Sequence, residues 1–151
     1  MKKTLFILLG IFSLISAQEN SKKSPVLTCV VTGDKIDLDI AETSSYKNGK
    51  VYFCCGGCKE DFDSDNKKFS TKANYQLLST NQYTQTRCPM TGGKLKADKI
   101  VAVDGANVSF CCNNCVKKAT KSDDKLSLLF TDVSFDKGFS SVKDINSKKK
   151  K

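Results

Sequence analysis

Eight cysteines fall into two similarly spaced sets of four, and this doubling limits the chain more than any other feature. Cys29-Val30-Val31-Thr32-Gly33-Asp34-Lys35-Ile36 lies over Cys88-Pro89-Met90-Thr91-Gly92-Gly93-Lys94-Leu95 at an offset of 59, the difference between 29 and 88. Val51-Tyr52-Phe53-Cys54-Cys55-Gly56-Gly57-Cys58 lies over Val108-Ser109-Phe110-Cys111-Cys112-Asn113-Asn114-Cys115 at an offset of 57. The chain is therefore a duplicated unit of about 55–60 residues, a repeat length at which one copy buries little core and needs a staple or a neighbour. Every cysteine lies inside the repeat, so sulfur is the expected staple.

The chain has no histidine. That excludes His-based triads, His general acid–base chemistry and mixed Cys/His metal sites. No hydrolase or transferase signature is present either, and the expectation is a protein that is not an enzyme. Gly56-Gly57 does not have the spacing of a phosphate-binding loop. Asp61-x-Asp63-x-Asp65 is no calcium loop, because Asn66 and Lys72 occupy the positions that need glycine and glutamate.

Met1-Lys2-Lys3, an apolar run to Ile15 and the small pair Ser16-Ala17 have the layout of a secretory leader. Residues 1–17 are expected to be removed and the remainder exported, to a periplasm or the outside, with no membrane span left. Residues 18–79 and 80–142 then form the two Cys-rich repeats, and 143–151 a basic disordered tail. The net charge of +9 alone would allow a polyanion partner, but export argues against nucleic acid.

Each copy reads as a Cys turn, a β-hairpin, a cysteine corner and a helix, an α+β fold of two small treble-clef-like units. Asn48-Gly49 and Asp104-Gly105 mark the hairpin turns. Residues 58–69 and 115–130 are expected to be helical, with Cys58 and Phe62 on one face and Cys115 and Ala119 on the other copy's equivalent face. Residues 70–87, including Tyr75, Leu77, Leu78 and Tyr83, bridge the copies and are expected to pack between them.

A Cys-x-x-Cys pair at a helix start aims two sulfurs at one spot, and the helix N-terminus favours thiolates there. The upstream Cys in its Thr-Gly turn closes over the same spot. Thr32 and Thr91 stand where a zinc-ribbon turn would carry its second Cys; the adjacent pairs Cys54-Cys55 and Cys111-Cys112 restore the count. Neighbours on a strand point to opposite faces, so both members of a pair reach one ion only if the backbone bends there. Two arrangements follow. In one, Cys29, Cys54, Cys55 and Cys58, and likewise Cys88, Cys111, Cys112 and Cys115, hold Zn(II) tetrahedrally. In the other, three sulfurs per copy hold a soft ion such as Cu(I), and the fourth is spare. Met90 is read as core rather than as a thioether ligand.

The corner Phe-Cys-x-x-x-Cys, preceded by an upstream Cys and followed by a helix, resembles the TRASH and YHS domains, cysteine-rich units linked to heavy-metal trafficking, resistance and sensing. The resemblance implies that Cys29, Cys54 and Cys58 bind metal in one copy and Cys88, Cys111 and Cys115 in the other, one Zn(II) or Cu(I) per repeat. Cys55 and Cys112 stand where the family often has Ser. Val30-Val31 in place of Pro89-Met90 makes the first copy the more distant one. The implied partners are a metal ion and a metal-transport or receptor protein. Two other readings use the same cysteines: a disulfide-stapled extracellular interaction domain without metal, and a thiol-disulfide redox protein built on Cys55-x-x-Cys58.

Overall fold

The computed structural model describes residues 26–148, so the leader expected at 1–17 and the last three lysines lie outside it. In each half an antiparallel hairpin leads into a helix. Strands β1 (Glu42–Tyr46) and β2 (Gly49–Phe53) pair from Glu42↔Phe53 to Tyr46↔Gly49. Strands β4 (Lys96–Val103) and β5 (Ala106–Phe110) pair from Val103↔Ala106 to Lys96↔Phe110, with an irregularity between Lys96 and Ile100. Val51, Phe53, Val108 and Phe110 alternate inward and are fully buried, the period-2 pattern of a strand with one covered face.

The second turn is Asp104-Gly105, both at positive φ (46° and 92°), as expected. The first turn differs from expectation. Tyr46 pairs with Gly49, so the turn residues are Lys47-Asn48, with Lys47 at φ 49°. Gly49 is instead a close approach: a Cβ there would lie 2.7 Å from Gln82 Oε1 and from Leu77 Cδ2. The glycine serves packing against the linker rather than turn geometry.

Helix α1 (Gly56–Ser64) follows β2 and α3 (Asn113–Lys121) follows β5. Cys58 with Phe62, and Cys115 with Ala119, form their buried faces as the spacing predicts. The helix expected over 58–69 is two helices. Asp65 (φ −148°) ends α1 and caps α2 (Asn66–Ser79), its carboxylate accepting from Lys68 N at 3.4 Å. The helix expected over 115–130 divides in the same way: Asp124 Oδ1 accepts from Ser127 N at 2.9 Å and starts α4 (Lys125–Leu129). Asp side chains compete for backbone N–H groups and so favour caps over helix interiors. Asp65 and Asp124 are thus helix starts.

The bridging segment does pack between the copies. Ala73 to Leu77 on α2 are buried, and α2 lies against α4 and α5 (Asp132–Gly138). Strand β3 (Tyr83–Gln85) pairs with β6 (Phe139–Ser141), tying the linker to the segment after the second repeat. Between them Phe130 meets Tyr75 edge-on at 5.3 Å and Phe139 stacked at 5.4 Å, while Phe135 contacts Tyr83 at 5.0 Å. A smaller cluster, Tyr46, Phe53, Phe62 and Phe69, fills the first half. Residues 143–148, expected as disordered tail, lie in helix α6 (Val142–Lys148). No described helix is long and apolar enough to cross a membrane.

Candidate metal centres

The two ligand turns are the same structure built twice. Gly33 N donates to Cys29 O at 2.8 Å and Cys29 N to Asp34 O at 2.7 Å. In the second copy Gly92 N donates to Cys88 O at 2.7 Å and Cys88 N to Gly93 O at 3.0 Å. Gly33 (φ 86°) and Gly92 (φ 75°) close these turns in the left-handed region, which is why glycine follows threonine in both.

The strand delivers its first cysteine and then bends. Residues 54–55 and 111–112 are bends between strand and helix, and Cys55 and Cys112 are the extended residues preceding the first helical turn. The bend brings the first member of each pair, Cys54 or Cys111, into a three-sulfur group with the upstream and helix cysteines, and leaves Cys55 and Cys112 beside it. Cys54 Sγ lies 3.9 Å from Cys55 Sγ and 3.6 Å from Cys58 Sγ, and Cys55 and Cys58 are 3.5 Å apart. In the second copy Cys111–Cys115 is 3.9 Å and Cys112–Cys115 is 3.6 Å. All eight cysteines are free thiols.

The upstream cysteines close over these corners. The sulfurs of Cys29, Cys54 and Cys58 all lie within 4.8 Å of one another, and so do those of Cys88, Cys111 and Cys115. For metal–sulfur bonds of about 2.3 Å, sulfurs stand about 3.8 Å apart in a tetrahedron and about 4.0 Å in a trigonal plane. The spacings found here fit a thiolate-bound ion with little adjustment. Cys29, Cys58, Cys88 and Cys115 are buried, Cys54, Cys111 and Cys112 half-buried, and Cys55 exposed. Each centre thus has a protected side and a solvent side.

The surroundings of the sulfurs bias their ionisation in opposite directions. Burial opposes ionisation of Cys29, but the backbone N–H groups of Thr32, Cys54 and Val31 prevail and bring it down to about 7. Cys88 reaches about 7 by the same balance, burial against the Cys111 N–H and the Thr91 hydroxyl. Cys55 and Cys112 are lowered chiefly by the backbone N–H groups of Cys58 and Cys115. Burial and the neighbouring sulfurs push Cys58 and Cys115 strongly upward. Cys29, Cys55, Cys88 and Cys112 are thus biased toward thiolate and Cys58 and Cys115 toward thiol, and binding a cation requires the latter to give up their protons.

Several supporting residues carry no signal in the cysteine pattern. Thr32 Oγ1 stands 3.7 Å from Cys54 Sγ, and Thr91 Oγ1 3.1 Å from Cys111 Sγ. The threonines that fill the place of a second turn cysteine therefore face the cluster as hydrogen-bonding groups. Gln76 is buried on α2. Its Oε1 accepts from Tyr52 N at 2.7 Å, and its Nε2 donates to Tyr52 O and Thr28 O, each at 3.0 Å. One side chain thereby joins the strand that leads to Cys54 with the turn that holds Cys29. Gln82 pairs in the same way with Lys50, and Gln85 with Ser109 on the strand leading to Cys111. These amides satisfy the free edges of β2 and β5. The doubled Thr-Gly was visible beforehand; the glutamines, being polar and aperiodic, were not.

The chain matches no family model, no curated protein and no solved structure. The likeness to TRASH and YHS domains therefore rests on the residues alone, and the two cysteine clusters stand on their geometry as groups able to hold a metal ion.

Proposed function

We propose that this is an exported metal-binding protein that carries Zn(II) or Cu(I), one ion in each of its two thiolate centres, in heavy-metal trafficking, scavenging or sensing rather than in catalysis. One observation carries the reading: three sulfurs from two separate chain segments converge within 4.8 Å, and they do so twice with the same burial order. With no histidine in the chain, both centres offer soft donors, and thiolates select Zn(II), Cu(I) and similar ions over hard cations. The likeness to TRASH and YHS domains and the leader-like first 17 residues support trafficking and export. The metal-transport or receptor protein that such domains imply is the partner proposed.

The test is the metal and thiol content of the chain purified anaerobically. Two ions per chain, with eight reactive thiols after chelation, is the expected result. A metal-free chain with four disulfides rejects the reading in favour of a stapled interaction domain.

A further inference from the structure

Cys55 and Cys112 are left over from the three-sulfur groups, and their positions define a role. Cys55 Sγ is 3.5 Å from Cys58 and 3.9 Å from Cys54 but more than 4.8 Å from Cys29, so it stands at the rim of the three-sulfur group, and it is the exposed member of its cluster. Cys112 Sγ is 3.6 Å from Cys115 and half-buried. Behind each, the inner ligands Cys29 and Cys58, or Cys88 and Cys115, are sealed in the core. The approach to Cys55 is also clear: beside it Gly56 and Gly57 are exposed, and a Cβ built on either meets nothing within 4 Å. The second corner carries Asn113 and Asn114 there, so the first centre is the more accessible.

We propose that Cys55 and Cys112 are the exchangeable fourth ligands through which each centre passes its ion to, or takes it from, an external thiolate. The proposal rests on the metal-binding reading above. The step is a ligand substitution. An incoming thiol loses its proton and forms a metal–sulfur bond; the bond to Cys55 breaks, and the Cys55 thiolate takes up a proton. No electron moves, and charge is conserved. The other three sulfurs hold the ion meanwhile, which keeps it from escaping as a free aquo ion. The partner chemistry is that of a soft-donor acceptor, a cysteine-bearing protein surface or a small thiol.

The experiment uses the full reduced chain loaded with Co(II), whose sulfur-to-cobalt charge-transfer absorption reports the number of bound thiolates. In the double variant Cys55→Ser/Cys112→Ser, cobalt remains bound, and the band falls by about a quarter, the share of one thiolate in four at each tetrahedral site. Adding 2-mercaptoethanol then restores it. In Cys29→Ser, which removes a buried ligand, the same thiol restores nothing at that centre, since it cannot reach the vacated position. An unchanged band in the double variant overturns the proposal, because Cys55 and Cys112 would not be ligands. So does a band that falls but does not recover with 2-mercaptoethanol. A wild-type chain that takes up neither cobalt nor Cu(I) overturns the metal-binding reading itself and this proposal with it; one that takes up Cu(I) but no cobalt overturns this proposal alone, since it has no tetrahedral fourth ligand.

Discussion

At the scale of single residues, one position beside the threonine distinguishes the two ligand turns. Gly93 lies beneath Cys111: a Cβ there would come within 3.0 Å of Cys111 Cβ and 3.2 Å of its Sγ. The aligned residue in the first copy is Asp34, which has a Cβ, and there the threonine-to-sulfur distance opens from 3.1 to 3.7 Å. Gly93→Ala is therefore expected to push Cys111 outward and to weaken metal binding at the second centre, leaving the first as it was. Competition against a chelator resolves the two as separate steps, and only the second step shifts. Tyr75 gives a pH prediction. Its hydroxyl donates to the Asp104 carbonyl, and burial together with the Asp104 charge raises it to about 12. An unfolded tyrosine ionises near pH 10, so the native state favours the protonated phenol. That stability is complete below about pH 10 and lost as pH rises toward 12. The stability difference between wild type and Tyr75→Phe, measured by denaturant titration, shrinks across that window; a difference independent of pH contradicts the assignment. The cysteines of both sites were legible in the sequence because their spacing repeats. Gln76, Gln82 and Gln85 were not, because a buried amide that stands in for a strand has no periodicity of its own.

Among elements, the hairpin, corner and helix of each copy follow from local chemistry: alternating apolar residues, a turn dipeptide and an i, i+4 apolar pair. The helix lengths did not follow, since Asp65 and Asp124 each offered the backbone a cap, and capping won over continuation. The first hairpin turn moved by one residue because Gly49 was needed for the close approach of Gln82 and Leu77. Long-range packing set that position, and no short window of sequence holds it. The ligand turns are loops held largely by local hydrogen bonds. Each closes on two backbone hydrogen bonds, backed in the first copy by Ile36 N to Leu27 O and the Gln76 clamp and in the second by side-chain bonds from Lys137 and Arg87. Chelating the metal from the reduced chain is thus expected to release the amides of Cys29, Gly33, Cys88 and Gly92 to hydrogen exchange. Those of Phe130 and Phe135, bonded within the shared core, keep their protection. Equal loss at all six sites would mean that the metal holds up the whole fold.

For the whole molecule, the expectation that each copy is too small to stand alone is met by two devices. A shared core is one; the sulfur clusters, which could hold a metal ion, would be the other. Lys47, at the first hairpin turn, reaches Asp132 at 3.2 Å and Asp136 at 2.6 Å on α5, and Asn74 of α2 donates to the Phe130 carbonyl and to Asp132, both at 2.9 Å. Phe130 lies at the centre of this junction and is fully buried. Phe130→Ala is expected to cost about 4 kcal/mol of unfolding free energy, in the range of large aromatic truncations, while both centres still take up metal in the fraction that remains folded. A loss under about 1 kcal/mol would show that the halves are held independently, since such a value is that of a surface change. The central claim is that sulfur from two chain segments surrounds an ion in each half. X-ray absorption at the zinc edge, on the chain reconstituted with two equivalents of zinc, tests it directly. The account predicts a first shell of sulfur alone at about 2.3 Å. A first shell dominated by oxygen or nitrogen at about 2.0 Å would contradict it.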